Sequence, residues 1–392
     1  MRSQLRCRPP VVQRNGAAIP SNRPFFSLKQ IRWIQRALFR ILSSGRLILG
    51  PYTAELERAF AAYVGTPHAV ALSSCTAALE IALRFFGVKD REVIVPTNTF
   101  VASANAVRFA GGTPVLADID PECLGLDLED LERKLNHRTR AVIVVHIAGL
   151  VHPRLEEIRS LCRQQNVVLI EDVAHAAGAT HHGRMGGTFG EAGCFSFYPT
   201  KVITTGTGGM LVTPQEDLAD FARCLRHHGA GKQGLTQITR LGNDWLLDEV
   251  RAAIGLAQLR EIERIIARRR AVAAQYHGAL RGHPRAQPLP EPPKTRHVYY
   301  KYAVKLGRPE ERGRLVDLLK SRHGIETGSI YYPPVHLQPL YAKELGRRKM
   351  SFPKADEVLP RLLCLPVHAR MARADVQRVL AAFQEALEEV TA

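Results

Sequence analysis

The sequence predicts an α/β protein with a large domain, built on a mostly parallel seven-stranded sheet, and a smaller C-terminal α+β domain. Seven short β-branched runs alternate with helical stretches, and most of these runs are apolar throughout, which is typical of strands covered on both faces. A proline-rich segment, residues 284–293, then separates this pattern from a second, mixed pattern of strand and helix. These observations predict two domains around two cores.

The strands of the large domain are predicted in chain order, with crossover helices between most of them. They are residues 69–73, 93–96, 114–118, 141–147, 167–173, 193–197 and 208–213. The intervals between most of them are about twenty residues, long enough for a helical crossover between parallel strands. Such sheets bind ligands at the carboxyl ends of their strands, so we expect a site at that edge.

The C-terminal part of the chain is predicted to form the small domain. A helix-rich stretch with three arginines, residues 268–270, on its polar face leads into the proline-rich segment, which cannot be a helix or a central strand. Residues 298–306 then alternate like a half-exposed strand, and residues 313–323 and 376–390 are predicted helices. The predicted boundaries are a basic, disordered tail at 1–19, the large domain at 20–265 and the small domain at 266–392.

Composition indicates a cytoplasmic globular protein with reduced thiols. With 392 residues, of which 45% are hydrophobic and 23% are charged, the chain can bury a large core, and a disordered or fibrous class is excluded. No apolar run is long enough to span a bilayer, and the N-terminal region lacks the apolar segment of a signal peptide. The seven cysteines are odd in number, form no C-x-x-C pair and mostly lie in apolar stretches.

The net charge of +17 is unevenly distributed, because ten Lys and Arg residues precede the first acid, Glu55. A basic arm of this kind can bind nucleic acid, but no helix-turn-helix, zinc-finger or RNP pattern accompanies it. Residues 28–42 separate apolar and basic residues at helical spacing, as in helices that dock on membrane surfaces. We favour the interpretation that this helix packs its Ile, Leu and Phe stripe on the body of the protein, and we expect neither nucleic acid nor a membrane as a partner.

An acid and a lysine after two successive predicted strands indicate a cofactor. Asp172 ends one buried strand, and Lys201 lies just past the next. Pyridoxal phosphate requires a carboxylate at its ring nitrogen and an amine at its aldehyde, so this pair predicts an enzyme that uses it. The alternatives are a solvated surface lysine, which the buried strand and the following Gly-rich turn disfavour, and a helix-capping aspartate.

Nine motifs, taken in order, amount to a family resemblance. They are GP at 50–51, SCTAAL at 74–79, PTNTF at 96–100, DID at 118–120, VHIAG at 145–149, EDVAH at 171–175, FSFYPTK at 195–201, GTGG at 206–209 and AAIGLAQL at 252–259. From about Ile19 to the C-terminus the chain resembles the DegT/StrS-type sugar aminotransferases. The resemblance implies the aspartate-aminotransferase type I fold, pyridoxal 5'-phosphate as cofactor, and a homodimer whose active sites are built from both chains.

The resemblance also implies the catalytic residues. Lys201 is expected to bind the cofactor's aldehyde and, once an amino donor displaces it, to move the proton between substrate and cofactor. Asp172 is expected to keep the pyridine nitrogen protonated. His175 stands where similar enzymes carry Gln or His near the cofactor's phenolic oxygen, and a helix-packing histidine is the alternative.

Four more residues are expected to bind the cofactor. Cys75 and Thr76 open a predicted helix, so their backbone N–H groups, together with the Thr76 and Ser196 hydroxyls, can bind the phosphate. The family usually has Gly at position 75, a difference that backbone donation tolerates if φ stays negative. Phe100 corresponds to the family's ring-stacking aromatic, with ordinary core packing as the alternative.

Two other segments carry weaker expectations. Similar enzymes close the partner subunit's site with Gly-x-Asn-aromatic-Arg-Met, and here Asp244 and Leu246 take the Asn and Arg positions. Because an aspartate would repel a phosphate, Asn243 is the expected cofactor contact across the dimer. Tyr331 and His336 resemble the family's loop near the substrate, and they are equally compatible with packing alone. Adjacent histidine pairs lack a third ligand, so no metal is expected.

The resemblance implies transfer of an amino group, with L-glutamate as the expected donor, to the keto group of a nucleotide-linked deoxysugar by ping-pong Schiff-base chemistry. Three alternatives stay open. The acceptor can be a free cyclitol ketone. The chain can be a sugar dehydratase of the same fold, although those enzymes carry histidine in place of the lysine at Lys201. It can also be a non-catalytic regulatory protein on this fold.

Overall fold

The computed structural model describes residues 18–231, 233–345 and 350–391. Most of the predicted N-terminal tail, residues 1–17, lies outside that range. Ile19, the predicted last residue of the tail, is buried and forms a parallel β-bridge with Ile325. Its backbone N–H donates to the Gly324 carbonyl at 2.8 Å, so Ile19 packs with the folded protein although it was predicted as part of a disordered tail.

The helices and strands alternate through the first part of the chain, as predicted. The helices are α1 Leu28–Ser44, α2 Pro51–Val64, α3 Cys75–Phe85, α4 Val101–Phe109, α5 Leu128–Lys134, α6 Leu155–Gln164, α7 Glu216–Leu225, α8 Glu249–Leu259, α9 Ile262–Leu280, α10 Pro309–His323, α11 Pro339–Leu345, α12 Pro353–Val358 and α13 Arg373–Thr391. The strands are β1 His68–Leu72, β2 Glu92–Pro96, β3 Thr113–Ala117, β4 Thr139–Val145, β5 Val168–Asp172, β6 Thr180–His181, β7 Arg184–Met185, β8 Ala192–Ser196, β9 Gly209–Thr213, β10 Ala230–Gly231, β11 Gly234–Ile238, β12 Ala286–Pro288, β13 Thr295–Arg296, β14 Tyr302–Leu306 and β15 Leu362–Leu365.

The large sheet has seven strands in the order β1-β9-β8-β5-β4-β2-β3, which confirms the predicted strand number. All pairings are parallel except those of β9, which runs antiparallel to both β1 and β8. Each predicted strand is present with slightly shifted ends. The carboxyl ends of β5 and β8, neighbours in the sheet, therefore lie side by side at one edge.

Both faces of the sheet are covered, as the continuous apolar runs predicted. Successive side chains of a strand point to opposite faces, so β4 contributes to two separate cores. Ile143 and Val145 pack into one hydrophobic cluster, and Val142 and Val144 pack into the other. Because neither face is left to solvent, the open positions for a ligand are at the ends of the strands.

The N-terminal helix α1 is present, but its predicted packing is only partly correct. Ser27 caps it through a capping box with Gln30, whose side chain also donates to the Ala257 carbonyl at 2.8 Å. Ala37 and Ile41 are buried against the body. The remaining large apolar side chains of the stripe are mostly exposed: Leu28, Ile31, Phe39 and Leu42. The prediction that the stripe as a whole is covered is therefore wrong for this chain.

The C-terminal part has its own core around a three-stranded sheet in the order β12-β14-β15. Strand β12 lies within the proline-rich segment and at the edge of the sheet, which fits the rule that proline avoids central strands. The predicted half-exposed strand at 298–306 is wrong in two respects. Only Tyr302–Leu306 forms a strand, and nearly all of the segment is buried.

The prediction that all three arginines at 268–270 lie on the polar face of a helix is wrong for one of them, Arg269. Arg269 in α9 is buried, and its guanidinium donates to the carbonyls of Tyr299 and Val367 at 3.1 and 2.9 Å. Burial lowers the pKa of Arg269 to about 10, since solvent no longer stabilises its charge. The Arg269 side chain therefore links α9 to the residues just before β14 and just after β15.

Five of the six cysteines in the described ranges are buried and all six are free thiols, in agreement with reduced core cysteines. None of the helices in the described part of the chain is both long and apolar enough to cross a bilayer. The described residues also contain no cluster of three or more His, Cys, Asp or Glu side chains that could bind a metal ion.

Candidate active site

A cavity of about 530 Å³ opens at the carboxyl ends of β5 and β8. Eight of the predicted site residues line it: Cys75, Thr76, Phe100, Asp172, His175, Ser196, Lys201 and Tyr331. They come from five separate stretches of the chain. Two of these stretches meet because β5 and β8 are parallel neighbours, which places their last residues, Asp172 and Ser196, at the same edge of the sheet.

Asp172 is the last residue of β5, and its carboxylate is almost completely buried. The Ser103 hydroxyl donates to Oδ2 at 2.8 Å, and the backbone N–H of Ala174 donates to Oδ1 at 3.0 Å. Hydrogen bonds of this kind favour the charged form of a carboxyl group. The arrangement can therefore hold a negative charge beside a positively charged ring nitrogen.

Lys201 lies in the loop after β8, with its Nζ 4.6 Å from the centroid of the Tyr300 ring. The Tyr300 hydroxyl is 3.0 Å from the Thr200 hydroxyl, which fixes the ring beside the lysine. Burial opposes ionisation of Tyr300, but the charges of Lys201 and Lys301 outweigh it and lower the pKa of this phenol. Tyr300 is thus a cavity residue that the sequence interpretation missed, since it was assigned to a half-exposed strand.

The His175 ring contacts two tyrosines: it is tilted by 32° against Tyr300, with centroids 4.1 Å apart, and stacked on Tyr331, with centroids 5.3 Å apart. Its Nδ1 accepts a hydrogen bond from the Ala148 backbone N–H at 3.3 Å, and its Nε2 lies 2.5 Å from the Tyr331 phenolic oxygen. Burial, followed by the charges of Lys201 and Lys301, holds the pKa of His175 well below its usual value. A neutral ring whose Nδ1 accepts must carry its hydrogen on Nε2.

The Tyr331 oxygen therefore accepts a hydrogen bond from His175. Burial, then the neighbouring Tyr300 and Asp172, raise the pKa of Tyr331 well above its usual value, so this phenol keeps its hydrogen. Since that hydrogen is not used by His175, Tyr331 can donate it to a group in the cavity. The helix-packing alternative for His175 is disfavoured, because both ring nitrogens are engaged at the wall of the cavity.

The N-terminus of α3 also lines the cavity, through Ser74, Cys75 and Thr76. Ser74 caps the helix by accepting from the Ala77 N–H at 3.1 Å, and the first backbone N–H groups of a helix have no intrahelical acceptor. Gly209 packs against this turn so closely that a Cβ would lie 2.5 Å from the Cys75 nitrogen. With the Ser196 hydroxyl alongside, these donors suit a phosphate dianion.

A negative φ is required at Cys75, where the family usually has glycine, and the structure meets this requirement. Cys75 is the first residue of α3 and has no positive φ, so its backbone N–H can still point toward an anion. Its Sγ turns to the floor of the cavity, 3.3 Å from the Cys194 carbonyl and 3.8 Å from Asp172 Oδ1. Burial raises the pKa of this thiol well above its usual value, so it brings no negative charge toward a phosphate.

Phe100 caps α4 and is 56% exposed, which rules out ordinary core packing. Its ring lines the cavity, with its centroid 5.9 Å from that of Tyr331. Stacking on a bound ring stays a prediction.

Two predicted residues do not reach this cavity. His336 is buried elsewhere, with Nδ1 2.6 Å from the Thr97 hydroxyl, Nε2 2.9 Å from Asp356, and its ring stacked on Phe352. This geometry favours the packing alternative for His336. Asn243 is exposed, and its side-chain oxygen accepts from the Asp244 N–H at 2.8 Å. A cofactor contact from Asn243 would therefore have to be made to another copy of the chain.

Comparison with known proteins gives one matching family model and three similar proteins. A model of the DegT/DnrJ/EryC1/StrS aminotransferase family matches residues 30–384. GDP-perosamine synthase from Caulobacter vibrioides is 37% identical over 343 residues, which cover 86% of this chain and 91% of that protein. The aminotransferase TlmJ from Streptoalloteichus hindustanus has a TM-score of 0.88 at 32% identity, covering 95% of this chain and all of that one. Spr1654 from Streptococcus pneumoniae, in its PMP form, has a TM-score of 0.87 at 28% identity, covering 95% and 98%.

Proposed function

Since the chain belongs to the DegT/DnrJ/EryC1/StrS aminotransferase family and is a pyridoxal-phosphate enzyme of fold type I, we propose that it transfers an amino group from L-glutamate to the keto group of a nucleotide-linked deoxysugar. The observation that carries the proposal is the convergence of Lys201 and Asp172 with the α3 N-terminus in one cavity. A lysine, a carboxylate and an anion site in one cavity correspond to the aldehyde, the ring nitrogen and the phosphate of the cofactor.

Each of these groups has a separate task in the proposed reaction. Pyridoxal phosphate supplies an electron sink for the carbanion that forms when an amino acid loses its α-proton. Asp172 keeps the ring nitrogen protonated, and the backbone of α3 with Ser196 holds the phosphate. Lys201 would move a proton between the substrate carbon and C4′ of the cofactor, toward C4′ for the donor and in the reverse direction for the acceptor, and Tyr331 would donate a hydrogen bond at the same wall of the cavity.

Two observations bear on the acceptor. The 37% identity to a GDP-perosamine synthase makes a GDP-linked keto sugar the first candidate, ahead of UDP- and dTDP-linked sugars or a free cyclitol ketone. The presence of Lys201 beside Tyr300 disfavours the dehydratase alternative, because that group carries histidine at the lysine position. The complete cavity also disfavours a non-catalytic role.

We further propose a homodimer in which Asn243 contributes to the site of the partner subunit. Asn243 lies outside the cavity of its own chain, and the hairpin formed by β10 and β11 exposes Leu235 and Ile238 beside it in sequence. A second copy of the chain would cover such apolar side chains. Location in the cytoplasm also stays a prediction.

The experiment that tests the proposed acceptor uses the aminated enzyme. The protein is converted to its pyridoxamine-phosphate form with L-glutamate and mixed with GDP-, UDP- and dTDP-linked 3-keto and 4-keto hexoses, a free cyclitol ketone, and 2-oxoglutarate as the control. The expected result is recovery of the visible cofactor absorbance with one nucleotide-linked sugar and with 2-oxoglutarate. Recovery with 2-oxoglutarate and the cyclitol alone would assign the cyclitol alternative, and no reaction with L-glutamate would overturn the donor.

A further inference from the structure

Two hydroxyl groups form a hydrogen-bonded series with the buried carboxylate of Asp172. The Ser103 Oγ lies 2.8 Å from Asp172 Oδ2, and the Thr99 Oγ1 lies 2.7 Å from the Ser103 Oγ. All three side chains are buried. Ser103 comes from the first turn of α4, and Thr99 directly precedes the residue that caps this helix. Thr99 lies within the PTNTF motif at 96–100 and lines the cavity, whereas Ser103 was not indicated by the sequence.

The direction of these hydrogen bonds follows from the chemistry of the groups. An ionised carboxylate has no hydrogen to donate, so Ser103 must donate its only hydroxyl hydrogen to Asp172. Distance alone leaves the donor between Thr99 and Ser103 open. Because the Ser103 hydrogen is already used, Thr99 must donate to Ser103. The series therefore runs from Thr99 through Ser103 to Asp172.

The consequence for Asp172 is a fixed carboxylate plane. Rotation about the last side-chain bond of an aspartate is broad, so an unsupported carboxylate can turn away from a partner. Here Oδ2 is held by Ser103 of α4, while Oδ1 is held by the Ala174 N–H of the loop after β5. Together with the Cys75 Sγ, 3.8 Å from Oδ1, these contacts hold the carboxylate from α3, α4 and the loop after β5, and Asp172 still lines the cavity.

We propose that Ser103, supported by Thr99, is a positioning residue that directs Asp172 toward the ring nitrogen of pyridoxal phosphate. The inference rests on the proposed role of Asp172 and is independent of the identity of the amino acceptor. Ser103 acts through the carboxylate and does not itself line the cavity. The effect of the Ser103 hydroxyl on cofactor affinity should therefore depend on the presence of a nitrogen in the cofactor ring.

The test measures binding of two cofactors to the full-length apoenzyme. The probes are pyridoxal 5'-phosphate and its 1-deaza analogue, in which a carbon replaces the ring nitrogen, and the dissociation constants come from absorbance titrations. Ser103→Ala is expected to weaken binding of the natural cofactor about tenfold, as for loss of a hydrogen bond to a charged group. Binding of the deaza analogue should stay unchanged.

Matched variants complete the test. Ser103→Thr, which keeps the hydroxyl, should restore affinity for the natural cofactor, and Thr99→Val should give a smaller loss in the same direction. Equal losses for both cofactors, or no loss for either, would overturn the proposal. If Ser103→Ala does not fold, the same comparison with Thr99→Val decides the matter, because Thr99 lines the cavity and loss of a direct contact would weaken both cofactors equally. Asp172→Asn serves as the reference, because a preference for the natural cofactor that survives this change would refute the role of Asp172 itself.

Discussion

The phenolic oxygen of Tyr331 lies 2.5 Å from Nε2 of His175, and this contact joins two segments 156 residues apart in the chain. Tyr331 has a φ of +40°, in the left-handed region that a bulky residue rarely occupies. The surrounding structure holds this backbone conformation at the wall of the cavity, where such strain is commonly found. Because His175 donates to the Tyr331 oxygen, the hydroxyl hydrogen of Tyr331 stays available for donation into the cavity.

Replacing Tyr331 should impair catalysis more than folding. Tyr331→Phe removes the hydroxyl that accepts from His175 and can donate into the cavity, so kcat/KM should fall about tenfold or more. Tyr332→Phe is the matched control, because Tyr332 is adjacent but does not line the cavity. Steady-state kinetics of both variants check this, and equal effects of the two substitutions would contradict a specific role for Tyr331.

Lys201 should be the lysine that binds the cofactor covalently. Lys201→Ala is expected to abolish both turnover and the visible absorption of the lysine-linked cofactor, since no other amine would take its position. Lys301→Ala is the control, because its Nζ lies 5.5 Å from the same Tyr300 ring but it does not line the cavity. If Lys201→Ala still transaminates, the assignment fails.

A mixed-dimer experiment tests the contribution of Asn243 across the interface. If Asn243 acts in the partner's site, a heterodimer of a Lys201→Ala chain and a chain with an inactivating Asn243 substitution carries both defects in one site and none in the other. Refolding the two variants together should form heterodimers with one intact site and recover roughly a quarter of wild-type activity. The two variants assayed without mixing give the baseline. Absence of recovery in confirmed heterodimers would place Asn243 outside the partner's site.

Buried histidines should make folding stability depend on pH. Burial lowers the pKa of His297 to about 3, whereas an unfolded chain would bind a proton there near pH 6.5. Because the unfolded state then binds more protons, stability should fall as pH drops below about 6.5, by about 2 kcal/mol from this residue between pH 6.5 and 5. The loss should continue until the pH reaches the folded-state pKa.

Urea unfolding of the apoenzyme at pH 7 and pH 5 measures this dependence. His297→Asn retains an acceptor for the Tyr299 N–H, which donates to His297 Nδ1 at 2.8 Å, and should reduce the loss of stability at pH 5. His137→Asn, at an exposed position, should leave the pH dependence unchanged. An identical slope for His297→Asn and the wild type would show that this histidine is not neutral in the fold.

Several features follow from the sequence because they depend on local patterns. Continuous apolar runs predicted the seven strands, since a strand buried on both faces leaves no polar position. The convergence of Asp172 and Lys201 was predictable because both follow strands whose carboxyl ends meet at one edge of the sheet. The opening of a helix at Cys75 and Thr76 was likewise predicted from the sequence, and the structure adds that Ser74 caps this helix, α3.

Only the tertiary structure decided which distant side chains meet. Ser103 and Tyr300 reach the site through the packing of α4 and of the segment before β14, and no local pattern distinguishes such residues from ordinary core positions. The same holds for His336, whose partners Thr97 and Asp356 come from separate segments. Sequence periodicity fixes which face of an element is buried, whereas hydrogen-bond partners depend on how the elements pack together.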